Sequence, residues 1–155
     1  MVEEGKQAPD FELASDTGER VRLSDLRGRP VVLFFYPKDD TPGCTKQACS
    51  FRDAYAEYEE RGVAVLGVSP DTEESHAKFR RKHGLPFTLL ADPDHEVAER
   101  YGVWVEKTSY GKTSMGINRS TFLIDAEGNV ARVMLGVKPD GHADEVLAAL
   151  PGEAA

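Results

Sequence analysis

The hydrophobic pattern alternates between short apolar runs and longer amphipathic stretches along most of the chain. Residues 31–36 (VVLFFY) form a continuous apolar run rich in β-branched and aromatic side chains, which predicts a strand buried on both faces. Residues 63–68 and 87–90 predict two further strands of the same kind. Helical patterns lie between these runs, and we expect helices over residues 43–61 and from residue 71 or 72 to residue 83.

The flanking segments follow other patterns. Apolar residues alternate with polar ones on both sides of the turn at residues 15–18, which predicts a β-hairpin, and residues 1–9 are expected to form a loose arm. A short helix is expected between residues 92 and 101, because Asp-Pro opens it and a glycine follows it. Residues 103–118 have no clear period, so we expect a surface loop there.

The last part of the chain predicts two strands and a helix. Residues 121–124 and 130–135 flank a turn-rich segment, which indicates a hairpin, and a helix is expected to begin near residue 140. Strands that alternate with helices favour an α/β fold with a mainly parallel central sheet and helices on its faces. The final pair must be antiparallel, so the sheet is mixed. No linker or repeat divides the sequence, so a single domain over residues 1–155 is predicted.

The helix expected over residues 43–61 has one apolar stripe. Its members follow one another at spacings of 4, 3, 4 and 3: Cys44, Ala48, Phe51, Tyr55 and Tyr58. At about 100° per residue all five lie within about 40° of Cys44, whereas Cys49 lies about 140° away. We therefore expect Cys44 on the packed face of the helix and Cys49 on another side.

Charge and composition exclude several function classes. The 155 residues carry a net charge of −8, which argues against nucleic acid or an anionic membrane as a partner. No apolar run approaches the roughly 20 residues that span a bilayer. The first residues lack the basic and apolar regions of a secretory signal, so we expect a cytoplasmic location. In that compartment two cysteines are more often catalytic or metal-binding than joined in a structural disulfide.

The position of Cys44 favours a reactive thiol. It follows Thr41-Pro42-Gly43, where threonine suits the N-cap and proline suits the first helical position. A helix N-terminus stabilises negative charge, and the thiolate is the reactive form of cysteine. On an intact helix the Cα atoms of Cys44 and Cys49 would be about 8.7 Å apart. A disulfide needs less than about 7 Å, so the pair could close only if the start of the helix unwinds.

Two other interpretations of the cysteines stay open at this point. Both side chains could be small apolar fillers, because free cysteine is often buried. Zinc binding is a weaker possibility, because zinc takes four ligands in close pairs and the four histidines are scattered. His76 and His83 share a helical face, seven residues apart, and we expect that face to be solvated.

Several segments together resemble the peroxiredoxins, and in particular the bacterioferritin comigratory protein (PrxQ) branch. The resemblance extends from residue 5 to residue 147. It rests on residues 36–44 (YPKDDTPGC), 47–49 (QAC), 51–53 (FRD), 101–104 (YGVW) and 119–125 (RSTFLID). Thr-Pro-Gly-Cys with a second cysteine five residues later is its most specific element. The resemblance implies a thioredoxin-like fold, which agrees with the predicted order of strands and helices.

The resemblance also implies a function and a set of site residues. The activity would be thiol-dependent reduction of hydrogen peroxide and organic hydroperoxides, recycled by a thioredoxin-type donor, without a cofactor and in a monomer. Cys44 would be the peroxidatic cysteine and Cys49 the resolving one. Thr41 would hydrogen-bond the thiolate and the peroxide, and Pro37 would shield the pocket. Arg119 would reach the Cys44 sulfur and favour its charged form.

Each of these roles has a simpler alternative. Thr41 could be only an N-cap, and Arg119 could be a surface arginine. Trp104 is expected to serve in packing, and the Asp39-Asp40 pair is expected to be solvated. For the whole protein the alternatives are a disulfide oxidoreductase on the same fold and a redox sensor. The four-residue gap between the cysteines argues against the first, which uses Cys-x-x-Cys.

Overall fold

The computed structural model describes residues 2–150, which form nine strands and four α-helices. The strands are β1 (Glu12–Ser15), β2 (Arg20–Arg22), β3 (Val31–Phe35), β4 (Ala64–Ser69), β5 (Thr88–Ala91), β6 (Trp104–Ser109), β7 (Lys112–Ile117), β8 (Ser120–Ile124) and β9 (Val130–Met134). The helices are α1 (Pro42–Glu60), α2 (Glu73–His83), α3 (Glu96–Arg100) and α4 (His142–Ala149), with a 3-10 turn at Leu23–Leu26.

Seven of the strands form one mixed sheet in the order β2-β1-β5-β4-β3-β8-β9. The three strands predicted from continuous apolar runs, β3, β4 and β5, are parallel to one another. The other neighbours pair antiparallel, including β8 with β3 and β9 with β8. The predicted α/β class with a mixed sheet and an N-terminal hairpin is therefore confirmed.

Strand β3 lies inside the sheet, between β4 and β8, and has a core on each side. All five of its residues are buried, as its apolar sequence predicts. Because side chains alternate along a strand, Val31, Leu33 and Phe35 belong to one core cluster, and Val32 and Phe34 belong to the other. The second core lies under α1, whose Phe51 ring stacks on Phe34 with centroids 4.7 Å apart.

The prediction of a surface loop over residues 103–118 is wrong, because this segment forms the hairpin β6–β7. Its two-residue turn has positive φ angles, 52° at Tyr110 and 75° at Gly111, as a tight hairpin turn requires. Most of the hairpin's residues are exposed or half-buried, so it lacks the apolar period that marks a strand packed on a core. A two-residue turn that ends in glycine, between Thr- and Ser-rich strands, was the available signal.

The N-terminal arm is also more ordered than the sequence predicts. The amide of Gly5 donates to the carbonyl of Val130 at 2.8 Å, and the amide of Ala8 donates to the carbonyl of Gly128 at 3.0 Å. These bonds hold the arm along the β8–β9 hairpin.

None of the helices in residues 2–150 has the length and apolar character needed to cross a bilayer.

Candidate active site

Cys44 lies in the first turn of α1, directly after the loop that follows β3. The helix begins at Pro42 with Thr41 at its N-cap, as predicted. The first amides of a helix have no partner within the helix, and its dipole favours negative charge at this end. The Cys44 side chain is 2% exposed. A thiolate would therefore be held by the helix start and kept largely out of water.

The packed face of α1 is the one that the stripe predicts. Ala48, Phe51 and Tyr58 are buried with Cys44 in the same core cluster. Cys49 is half-buried and both cysteines are free thiols. The helix is continuous from Pro42 through both of them. A disulfide between them therefore requires the first turns of α1 to unwind, as the helical geometry predicts.

Arg119 comes to the cysteine from the opposite side of the site. Strand β8 pairs antiparallel with β3, and Ser120 is opposite Phe35. This register brings the residue before β8 to the end of β3, where the loop to α1 begins. Nη2 of Arg119 donates to Cys44 Sγ at 3.3 Å. The half-buried guanidinium is thus directed at the sulfur rather than at bulk solvent.

Gly43 leaves the space that the guanidinium occupies. A Cβ atom at this position would lie 3.3 Å from Arg119 Nη2 and 3.5 Å from Cγ of Pro139. Its φ angle is not in the left-handed region, so the glycine serves close approach rather than a special backbone conformation. The glycine before Cys44 is therefore explained by the arginine that packs against it.

Gln47 is a site residue that the sequence did not single out. It is 0% exposed, and its Oε1 accepts a hydrogen bond from Nη1 of Arg119 at 2.6 Å. Arg119 therefore binds Gln47 with one nitrogen and Cys44 with the other. Because Gln47 is three residues after Cys44, both face the same side of the helix. A polar residue on the predicted packed face was the signal that could have identified it.

We expect Gln47→Leu to slow the reaction with peroxide about tenfold, because the guanidinium loses the acceptor that orients it. Second-order rate constants for oxidation of the reduced protein would measure the effect. Glu59→Leu is the matched control, because Glu59 is an exposed residue of the same helix, and it should keep the wild-type rate. An unchanged rate in Gln47→Leu would contradict this orienting role.

Lys107 brings a second cation toward the site from the β6–β7 hairpin. Partial burial lowers its pKa, repulsion from Arg119 lowers it further, and attraction to Cys44 acts in the opposite direction. Its aliphatic chain lies along Gly116, where a Cβ atom would be 3.3 Å from Cδ of Lys107. Lys107 was not selected from the sequence, because the hairpin that carries it was expected to be a loop.

Thr41 and Pro37 lie in the loop before α1. The Thr41 side chain makes no capping hydrogen bond, although the residue occupies the N-cap position. Its hydroxyl donates instead to the carbonyl of Lys38 at 2.9 Å. Pro37 is half-buried at the start of the loop. Neither the capping bond nor a hydrogen bond from Thr41 to Cys44 is present in this conformation of residues 2–150.

Two expectations about solvated groups are wrong. Asp39 is 8% exposed and His76 is 0% exposed, and the two side chains meet in the interior. Asp40 is exposed and His83 is half-buried, with His83 Nε2 3.2 Å from the Asp40 carboxylate. The sequence prediction failed because the loop folds back over α2, which local periodicity does not report. Trp104 packs as expected, with its ring stacked 3.9 Å from that of His95.

The four histidines do not come together. Among residues 2–150 one group of three potential metal ligands lies within 4.8 Å of one another, and it consists of Asp39, Asp71 and His76. Each of these side chains is hydrogen-bonded to another protein group. The cysteines are not part of this group.

The geometry defines a class of protein, in which a cysteine thiolate at a helix start acts as a nucleophile beside a fixed cation. Comparison with known proteins agrees with this. The model of the AhpC/TSA family matches residues 4–133. The chain is 52% identical over 149 residues to a putative peroxiredoxin bcp of Coxiella burnetii, with 96% of this chain and 99% of that protein covered. It is 51% identical over 149 residues to peroxiredoxin Bcp of Bacillus subtilis, with 96% and 95% covered.

A solved structure leads to the same family. The chain superposes with a TM-score of 0.89 and 39% identity on the bacterioferritin comigratory protein of Xanthomonas campestris, over 95% of this chain and 96% of that one. That structure was determined in a study of its alkyl peroxide reduction activity. The chain therefore belongs to the AhpC/TSA family, in the bacterioferritin comigratory protein (PrxQ) branch. It has the thioredoxin-like fold and is a thiol-dependent peroxidase.

Proposed function

We propose that the protein reduces hydrogen peroxide and organic hydroperoxides with Cys44 as the peroxidatic residue and Cys49 as the resolving one. The contact of 3.3 Å between Arg119 Nη2 and Cys44 Sγ is the observation that supports this most directly. It joins a nucleophile in the first turn of a helix to a cation with several donors. The pairing favours a thiolate and gives an incoming peroxide a charged partner.

The first step is attack of the Cys44 thiolate on one peroxide oxygen. The O–O bond breaks, a sulfur–oxygen bond forms, and the leaving oxygen departs as hydroxide or alkoxide, which takes a proton from water. Cys44 becomes a sulfenic acid. Negative charge moves from the sulfur to the leaving oxygen during this step, so donors fixed near both atoms stabilise the transition state. The Arg119 guanidinium and the free amides of the first turn of α1 are such donors.

The second step joins the two cysteines. The thiol of Cys49 attacks the Cys44 sulfenic acid, a disulfide forms, and the hydroxyl leaves as water. The start of α1 must unwind for this, because the intact helix keeps the sulfur-bearing residues apart. A thioredoxin-type dithiol then reduces the disulfide by exchange and is oxidised itself.

Thr41 and Pro37 contribute in the folded state of the loop. We propose that the Thr41 hydroxyl, which donates to the Lys38 carbonyl in the present conformation, turns toward the sulfur and the peroxide when substrate is bound. Pro37 limits the access of water to the pocket from the start of the loop. Both residues act by arranging the pocket rather than by taking part in bond formation.

Mass spectrometry after one equivalent of hydrogen peroxide tests the division of roles between the two cysteines. The wild-type protein is expected to lose two hydrogens, mapped to a Cys44–Cys49 bond. Cys49→Ser is expected to gain one oxygen at Cys44 and to react with a sulfenate-selective nucleophile, because no second thiol remains to displace the oxygen. Ser50→Ala, a change on the next residue of the helix, keeps both cysteines and should still form the disulfide.

Two outcomes would contradict the proposed cycle. A sulfenate that persists at Cys44 in the wild-type protein would mean that an outside thiol resolves it. Oxidation at Cys49 before Cys44 would reverse the two roles. An insulin-reduction assay separates the protein from a disulfide oxidoreductase, because a peroxidase should be nearly inert in it.

A further inference from the structure

A buried cluster of polar side chains lies behind the loop that carries Thr41. Asp39 is at its centre, and its carboxylate accepts hydrogen bonds from the hydroxyl of Tyr36 at 2.6 Å and that of Ser75 at 2.8 Å. Nδ1 of His76 lies 2.7 Å from the same carboxylate. The amide of Asp39 donates to the Asp71 carboxylate at 2.8 Å. The cluster therefore joins the end of β3, the loop and α2 through one residue.

The contact between Asp39 and His76 requires a shared proton. Nε2 of His76 is 2.9 Å from the carbonyl of Leu90, and a carbonyl can only accept, so Nε2 carries a proton. A neutral ring would then present a lone pair at Nδ1 toward the carboxylate. A hydrogen bond of 2.7 Å at this point needs a further proton, carried by Nδ1 or by Asp39. The pair is thus tied by a charge-assisted or acid–base bond in a dry environment, which is stronger than a neutral bond in water.

The neighbouring groups maintain this bond. Burial, together with the nearby Asp39 charge, raises the pKa of Tyr36 well above its usual range, so its hydroxyl stays a donor. Ser69 donates to Asp71 at 2.6 Å and holds that carboxylate against the Asp39 amide. His76 and Tyr36 are each at most 1% exposed. The cluster is a connected network in the interior rather than a set of surface contacts.

The cluster ends next to the start of α1, which is the part of the site that unwinds in the proposed cycle. Asp40 follows with φ of 58°, a left-handed conformation that is uncommon outside glycine, and turns the chain from the interior toward the helix start. The next contact along the backbone is the amide of Thr45, which donates to the Thr41 carbonyl at 2.8 Å. That helical bond lies in the segment that unwinds in the proposed cycle. Asp39 is therefore the last residue before the helix start whose contacts are buried, because Asp40 is held only at the surface, by Lys82 and His83 of α2.

We propose that Asp39 and His76 form an anchor that holds the loop of residues 37–41 on α2 and so positions the Cys44 turn for attack on peroxide. This inference rests on the proposed roles of Cys44 and Cys49. The pair does not contact the sulfur, and its effect passes through the loop. A loop fixed at one end loses less freedom each time the helix start refolds, which favours the conformation that attacks peroxide.

The anchor predicts a different effect on each of the two chemical steps. Asp39→Ala removes the carboxylate that accepts hydrogen bonds from Tyr36 and Ser75 and binds His76. We expect the second-order rate of Cys44 oxidation to fall about tenfold to a hundredfold, because misplacing a reactive group by even an ångström has effects of this size. The first-order rate of disulfide formation should not fall, since that step uses the unwound helix start, which the anchor disfavours. Rapid mixing with hydrogen peroxide, quenching with a thiol-alkylating reagent and intact-mass analysis measure both rates.

Two variants separate positioning from loss of stability. Asp39→Asn can donate from its amide to the lone pair of a neutral His76 and accept from Tyr36, so it should restore most of the oxidation rate. Asp16→Ala is the matched control. Asp16 forms a partly buried ion pair, at 3.0 Å, with Arg80 of α2, the helix that also carries His76. This substitution weakens the attachment of α2 without contacting the loop and should leave the oxidation rate unchanged.

The outcomes distinguish this inference from the function on which it rests. If peroxide does not oxidise Cys44 in the wild-type protein, the proposed function fails before any variant is compared. If it does and Asp39→Ala oxidises at the wild-type rate, the anchor is wrong. The anchor is also wrong if Asp16→Ala loses as much rate as Asp39→Ala, or if Asp39→Asn is no better than Asp39→Ala.

Discussion

Replacing Cys44 with serine is expected to abolish peroxide turnover. A serine hydroxyl at this position is not ionised by a helix start and one guanidinium, and it cannot be oxidised and reduced in a cycle. Removal of a covalent nucleophile lowers turnover by about 10⁴-fold or more in enzymes that depend on one. Consumption of hydrogen peroxide with a thioredoxin-type donor in excess measures the loss.

The control for this change is Cys49→Ser, which removes the other thiol from the same helix. It should keep a single rapid oxidation and lose only the turnover that depends on the intramolecular disulfide. Thermal unfolding of both variants checks that the helix remains packed, since Cys44 is buried and Cys49 is half-buried. If Cys44→Ser retained turnover with the donor, Cys44 could not be the peroxidatic residue.

Removal of the guanidinium is expected to have the next largest effect. Arg119→Met should lower the second-order rate of oxidation by about 10²-fold to 10³-fold, which is the usual effect of deleting one preorganised donor from a transition state. The reason is geometric, because Nη2 is the group that faces the sulfur while Nη1 is held by Gln47. Competition with a peroxidase of known rate or direct rapid mixing would measure the change.

The charge and the shape of this residue can be separated. Arg119→Lys keeps a cation but loses the planar guanidinium, whose two terminal nitrogens bind Gln47 and Cys44. We therefore expect it to recover only part of the oxidation rate. Arg132→Met is the matched control, because Arg132 is an exposed arginine on the neighbouring strand β9. A rate in Arg119→Met within about twofold of wild type would contradict the transition-state role of the guanidinium.

The parts of the fold that were predicted correctly are those whose pattern is local. Residues 31–36 are apolar without interruption because β3 is covered on both faces, and that environment is visible in the sequence itself. The hairpin β6–β7 was missed for the opposite reason. Most of its side chains face solvent, so no hydrophobic period distinguishes it from a loop. Its turn at Tyr110 and Gly111 carried the only local signal.

The candidate site divides in the same way. The position of Cys44 in the first turn of α1 and the orientation of the stripe that follows it come from helical periodicity, which needs only neighbouring residues. The separation of Cys44 from Cys49 follows from the same geometry. The partners of Cys44 could not be obtained in this way. Gln47 gave only the hint of a polar side chain on a packed face, and Arg119 was assigned through resemblance to a family.

The sequence by itself determined that Cys44 lies at a helix start and on a different side of the helix from Cys49, and the tertiary structure decided which residues meet Cys44. Arg119 reaches Cys44 because the antiparallel register of β8 on β3 brings together residues 75 apart in the chain. Asp39 and His76 were expected in water and meet in the interior because the loop after β3 folds over α2. Periodicity reports the face of one element, whereas contacts between elements depend on register and packing, which are properties of the whole fold.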